Sequence, residues 1–256
     1  MRHIPNLITL LNLFFGCLAI VFTLQTDAAI IYLNDDLSST FNIPEKLTWA
    51  AICIGIAAIV DFLDGFAARL FNATSLIGKQ LDSLCDVVSF GVAPSVIMYQ
   101  LLRLSYAKEE KGLEITILFL LPAFIIACCA AYRLAKFNID ESQSVNFKGI
   151  PTPAIGLLIA SFPLILHYNS TYTNIDNILL NKWVLYVLII ILSGLMVSNV
   201  PVMGLKFKSY QLKDNIPKVI LIALSIVLAI LLHWMAVPAI FLSYVLLSLF
   251  YKQTIA

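Results

Sequence analysis

Four aspartates stand at spacings that can do chemistry: Asp61 and Asp64, then Asp82 and Asp86. The first pair is i, i+3 and the second i, i+4, so each pair shares one face of a helix. Eight residues, Leu70 to Ile77, separate Arg69 from Gly78, enough to turn the chain back and let the two faces meet. Four converging carboxylates repel one another unless a cation lies among them. Hard divalent cations take oxygen ligands, so magnesium or manganese is the natural partner, and four carboxylates suffice for two ions. Such ion pairs serve phosphoryl chemistry. Gly65, beside Asp64, leaves the backbone open to a bulky ligand. Arg69, one turn further, is placed to grip a phosphate bidentately, and Lys79 adds charge nearby.

Two plainer readings compete. The aspartates could simply cap helices, which suits Asp82 near a helix start. Asp61 and Asp64 lie toward a helix C-terminus, where the dipole disfavours negative charge. Carboxylates inside a membrane could instead serve a cation channel or transporter. That reading leaves Gly65, Arg69 and Gly78 at fixed offsets without a purpose.

The elements that must position these residues are membrane helices. Of 256 residues, 61% are hydrophobic and 12% charged, and the net charge is +1. Soluble domains are about 45–50% apolar and about 25% charged, so a soluble or disordered chain is excluded. The near-neutral balance argues against a nucleic-acid binder. Eight stretches are candidate spans: 5–24, 47–68, 83–104, 114–136, 152–168, 183–201, 216–233 and 235–251. The first reads as an uncleaved span, because apolar character continues to Leu24. Pro122 falls inside the fourth, where neighbouring helices can absorb a kink. His233 to Pro238 separates the last two, which form a tight hairpin or a broken pair. Cys17, Cys53, Cys85, Cys128 and Cys129 lie in apolar runs and read as buried thiols. With both termini in the cytoplasm, that side carries 11 Lys and Arg and the other 5, as the positive-inside rule requires. The acidic Asp27, Asp35 and Asp36 then lie outside, and Lys206, Lys208 and Lys213 inside. One polytopic all-α membrane domain, 1–256, is expected.

The pattern Asp61-x-x-Asp64-Gly65-x-x-Ala68-Arg69, then Gly78-x-x-x-Asp82-x-x-x-Asp86, resembles the signature of the CDP-alcohol phosphatidyltransferase family. Within the about eight transmembrane helices read above, the resemblance implies a six-helix core bundle, commonly dimeric, its metal site open to the cytoplasm. It implies that Asp61 and Asp82 bridge two divalent ions, with Asp64 on one and Asp86 on the other. Asp86 would also be the general base. Gly65, Arg69 and Ser75 would hold the CDP moiety, and Asn6 and Thr9 of the opening segment would contact the nucleotide.

Three further blocks resemble the phosphatidylserine synthase branch: Ile4 to Gly16, Asp82 to Pro94, and Tyr132 to Asn138 followed by Gly149 to Pro153. The branch implies transfer of the phosphatidyl group from CDP-diacylglycerol to L-serine with release of CMP, in a bacterial inner membrane. A zwitterionic amino acid needs a cation for its carboxylate; Arg133 is the candidate, with Asn138, Thr152 and Ser89 as hydrogen-bonding partners. Arg133 and Lys136 also suit ordinary positive-inside anchoring, and Ser89 suits helix packing. A sister enzyme using glycerol 3-phosphate or inositol phosphate would call for more basic residues near Arg133.

Overall fold

The computed structural model describes residues 4–25, 31–33, 39–41, 44–70, 75–108, 115–139, 147–168, 173–204 and 212–250. The loop charges Arg2, Asp27, Asp35, Asp36, Lys111, Lys206, Lys208 and Lys252 lie outside these residues. Helix α1 (Ile4–Leu24) and helix α2 (Glu45–Leu70) are long apolar segments that pack against each other. A short antiparallel pair lies between them, β1 (Ile31–Leu33) with β2 (Ser39–Phe41).

Helix α3 (Leu76–Asp86) and helix α4 (Ala93–Ala107) are joined by a π-helical turn, Val87–Val92. Pro94 explains the turn: it has no N–H and its ring crowds the carbonyl four residues back. The helix widens there, and the Ala93 N–H donates to the carbonyl of Val88 instead. The whole run, Leu76–Ala107, is 32 residues long. It is the hub of the bundle: Phe90, Ile97, Met98, Leu101 and Leu102 are fully buried. The expected span began at 83; the helix begins seven residues earlier, capped by Ser75. Asp82 is therefore in the second turn and is not a cap.

The fourth span opens in two 3₁₀ turns, Ile117–Phe119 and Leu121–Phe124, before helix α5 (Ile125–Ile139). Pro122 is thus accommodated by tighter winding rather than by a kinked α-helix. Helix α5 also runs to Ile139, so Arg133 lies inside it and not at its end. Helix α6 (Thr152–Tyr168), short helix α7 (Thr173–Leu179) and helix α8 (Lys182–Val197) follow. The strand pair β3 (Phe147–Lys148) and β4 (Pro201–Val202) ties the start of α6 to the end of α8. Gly149 makes that junction possible: its φ is +76°, and a Cβ there would stand 2.5 Å from the Met196 carbonyl oxygen.

Helix α9 (Leu212–Leu232) and helix α10 (Ala236–Phe250) pack on each other, so the last pair is a hairpin. Its turn, His233–Met235, is reversed by His233 at φ 49°.

Among the described residues, five helical stretches are long and apolar enough to cross a membrane: Pro5–Leu24, Glu45–Leu70, Leu76–Ala107, Ile117–Ile139 and Asn215–Phe250. Helices α6 and α8 are shorter apolar helices. Outward faces are apolar too: Leu7, Phe14, Ile190, Ile230 and Leu231 are more than half exposed, as lipid contact demands. The protein is a polytopic, predominantly helical membrane protein. Cys17 and Cys128 share those outward faces, which corrects the expectation that every thiol is buried. In lipid an apolar residue is as comfortable outside as inside.

The two ends of the bundle differ. At one end Tyr186 donates to the Phe119 carbonyl at 2.6 Å and meets the Tyr106 hydroxyl at 2.9 Å, with Lys182 over the Tyr106 ring. There burial pushes the Asp176 carboxyl up and the Lys108 ammonium down, each partly restrained by the other. The opposite end gathers the C-termini of α2, α5 and α8 with the N-termini of α1, α3 and α6, and carries the aspartates.

Candidate active site

Helix α2 presents Asp61 and Asp64 on one face, and α3 presents Asp82 and Asp86 on the face that meets it. The start of α3 is capped by Ser75, whose Oγ accepts from the Gly78 N–H at 2.9 Å. Asp61, Asp64 and Asp82 each offer an oxygen, and all three oxygens lie within 4.8 Å of one another. Asp86 stands one turn beyond Asp82 and interacts with Asp61 and Asp82. Asp64 and Asp86 are buried. The arrangement is a tight trio with a fourth carboxylate to one side.

The donor set fits divalent cations. Asp64 Oδ2 is buried, and none of the described residues donates to it. Like charges this close are costly without a cation, and an all-oxygen set suits magnesium or manganese.

Around the trio the space is open. A Cβ on Gly65 would meet nothing within 4 Å, and Arg69 is exposed in the last turn of α2. Helix α1 supplies the other wall. Thr9 is buried, donates to the Pro5 carbonyl at 3.0 Å and faces Asp64. The Asn6 amide oxygen approaches Gly78: a Cβ there would lie 3.2 Å from it.

The residues expected to receive an amino acid separate into two groups. Arg133 is buried, and its Nη1 donates to Thr152 Oγ1 at 3.3 Å, joining α5 to α6. Its Nε is buried with no described partner, and its titratable neighbours are Tyr244 and Asp86. A small cleft beside it between α5 and α8 is lined by Arg133, Lys136, Phe137, Met196 and Ser198 among others. Asn138 instead braces α5 on α3: its Nδ2 donates to Ser83 Oγ at 2.8 Å, and Lys79 Nζ donates to its backbone carbonyl at 3.4 Å. Ser89 is fully buried and donates to the Asn12 carbonyl at 3.1 Å, which is the helix-packing role.

Two neighbours escaped sequence reasoning. Asn12, fully buried in α1, donates through Nδ2 to Asp86 Oδ1 at 3.3 Å. A polar residue midway along an apolar span was its only signal. Tyr244 comes from α10, and its hydroxyl donates to the Met203 carbonyl at 3.1 Å; no local pattern marks it.

The family model for CDP-alcohol phosphatidyltransferase matches residues 2–193. The chain belongs to the CDP-alcohol phosphatidyltransferase family. The match takes in the aspartates, Arg133 and Thr152, and ends before the α9–α10 hairpin. Members of the family generally use divalent metals, in keeping with the carboxylate trio. A CDP-diacylglycerol–serine O-phosphatidyltransferase of Bacillus subtilis is 35% identical over 164 residues, 63% of this chain and 77% of the relative. One of Helicobacter pylori is 32% identical over 226 residues, 87% of this chain and 80% of the relative. An archaetidylserine synthase of Methanothermobacter thermautotrophicus is 35% identical over 136 residues, 52% of this chain and 54% of the relative. This CDP-alcohol phosphatidyltransferase therefore resembles relatives whose names agree on serine as acceptor.

Proposed function

We propose that this protein transfers the phosphatidyl group of CDP-diacylglycerol to the hydroxyl of L-serine, giving phosphatidylserine and CMP. The observation that carries the reading is the carboxylate trio, its oxygens within 4.8 Å, with Asp86 beside it on the way to Arg133. In this reading Asp61, Asp64, Asp82 and Asp86 would together hold two magnesium or manganese ions, Asp61 and Asp82 contributing to both, Asp64 to one and Asp86 to the other. When bound, the ions supply charge neutralisation for the pyrophosphate and for the departing CMP.

The chain's own residues do the rest. Arg69 pairs with phosphate, and the open backbone at Gly65 admits it. Asn6, Thr9 and Lys79 border the nucleotide. Ser75 uses its oxygen as a helix cap, so its proton remains for a phosphate oxygen. Arg133 holds the serine carboxylate beside Thr152. Asp86 takes the hydroxyl proton as the serine oxygen bonds to the lipid-bearing phosphorus and the bond to CMP breaks. Fixed geometry and preplaced charge lower most of the barrier. The acyl chains stay in the bilayer between helices.

The reading includes eight spans in one domain over 1–256, with both termini and the site in the cytoplasm of a bacterial inner membrane. It includes a homodimer, as the family resemblance implies. The test is CMP release by purified protein given CDP-diacylglycerol and a panel of alcohols. Release should require serine, stop with a chelator and return with magnesium or manganese. Release with glycerol 3-phosphate but not serine would assign a sister activity. Full activity in excess chelator would sink the metal site.

A further inference from the structure

We propose that Asn12 is the positioning residue of Asp86, holding one carboxylate oxygen so that the other keeps a fixed direction toward metal and acceptor. The inference rests on the reading of Asp86 given above. Asn12 sits in the apolar helix α1 at zero exposure, a place where an amide is costly unless it is bonded. Its Nδ2 donates to Asp86 Oδ1 at 3.3 Å, a contact spanning 74 residues of sequence. That tether restricts rotation of the carboxylate about its Cβ–Cγ bond.

The tether is itself anchored. The backbone carbonyl of Asn12 accepts from Ser89 Oγ at 3.1 Å, three residues beyond Asp86 in the π turn. Gly16, one turn along α1, lets Ser89 come this close, since any Cβ there would collide with the Ser89 hydroxyl. Helix α1 therefore grips the hub helix at Asp86 and again at Ser89, three residues further on. The amide oxygen of Asn12 is buried, and no described residue donates to it. A residue present only for packing would be apolar here; the amide is aligned on a reactive carboxylate instead. Partners that orient metal-bound carboxylates typically contribute about 10- to 100-fold to metal affinity or activity.

Two variants of the full-length protein in detergent test this. Asn12→Leu removes the donor and keeps the branched outline of the side chain. Asn12→Asp keeps the shape, removes the donor and adds a charge. The readouts are Mn²⁺ binding followed by electron paramagnetic resonance, the thermal midpoint, and kcat and KM for CDP-diacylglycerol. For Asn12→Leu, kcat should fall about 10- to 100-fold, with KM for CDP-diacylglycerol within about twofold and the Mn²⁺ dissociation constant raised about tenfold. Asn12→Asp should lose at least as much kcat while binding Mn²⁺ no more weakly than the parent protein. Lowered thermal midpoints with unchanged Mn²⁺ affinity and unchanged kcat per folded molecule would overturn the proposal. If Asn12→Leu does not fold, parental kcat in Asn12→Asp overturns it alone. Absence of CMP release from the parent protein would sink the functional reading, and Mn²⁺ affinity would still judge Asn12.

Discussion

Arg133 offers the sharpest test of acceptor choice. Its guanidinium has five N–H donors. Nη1 reaches Thr152 at 3.3 Å, while Nε is buried without a described partner. A carboxylate can take the fork formed by Nε and a terminal nitrogen. A hydrogen bond to a charged group contributes about 1.5–3 kcal/mol. At about 1.4 kcal/mol per tenfold, losing one such bond raises KM for serine by about 10- to 150-fold. Arg133→Met keeps the apolar stem and should show that rise with KM for CDP-diacylglycerol within about twofold. Arg133→Lys keeps the charge but loses the fork, so its rise should be intermediate. The assay is CMP release across serine concentrations, repeated with ethanolamine, which is serine without its carboxylate. The parent protein should prefer serine, and Arg133→Met should lose that preference by the same factor. An unchanged serine KM in a folded Arg133→Met protein refutes the reasoning and leaves Arg133 as a buried link between α5 and α6.

Other perturbations separate the remaining roles. Asp86→Asn can still offer a carbonyl oxygen to a metal but cannot take a proton. It should lose about 10²–10⁴-fold in turnover while retaining nucleotide and Mn²⁺ binding; full rescue by added metal would make Asp86 a ligand only. Asp61→Asn removes charge from the trio, so Mn²⁺ affinity and turnover should fall together, and unchanged affinity would remove it from the ligand set. Gly16→Ala places a methyl against Ser89, at 2.9 Å from its Cα. Overpacking of this kind costs about 1–3 kcal/mol, and the thermal midpoint and turnover should both drop; an unaffected protein would show that α1 moves aside freely. Single cysteines introduced at Lys208 and at Asp36 in a cysteine-free background should be labelled from opposite sides, Lys208 from the cytoplasm. Reversed labelling would put the aspartates on the wrong face.

Much was legible in the sequence because its signals are local. Long apolar runs must be helices in a membrane, since only a helix satisfies its own backbone there. The Asp61–Asp64 and Asp82–Asp86 spacings fix which carboxylates share a face, and the brevity of the link makes the faces meet. The structure brings three of the four together, Asp61, Asp64 and Asp82, and leaves Asp86 to one side of the trio. Tertiary structure decided what depends on distant partners. The hub helix starts at Leu76 because Ser75 caps it, and it widens after Asp86 because Pro94 withholds a donor. The final pair is a hairpin because α9 and α10 pack together around the His233 turn. Asn138 and Ser89 look alike beside Arg133 as polar letters, yet one braces α5 on α3 and the other seats α1 on the hub. Asn12 meets Asp86 across 74 residues. No periodicity within one helix encodes that contact, because it exists only where two helices are brought into register by packing.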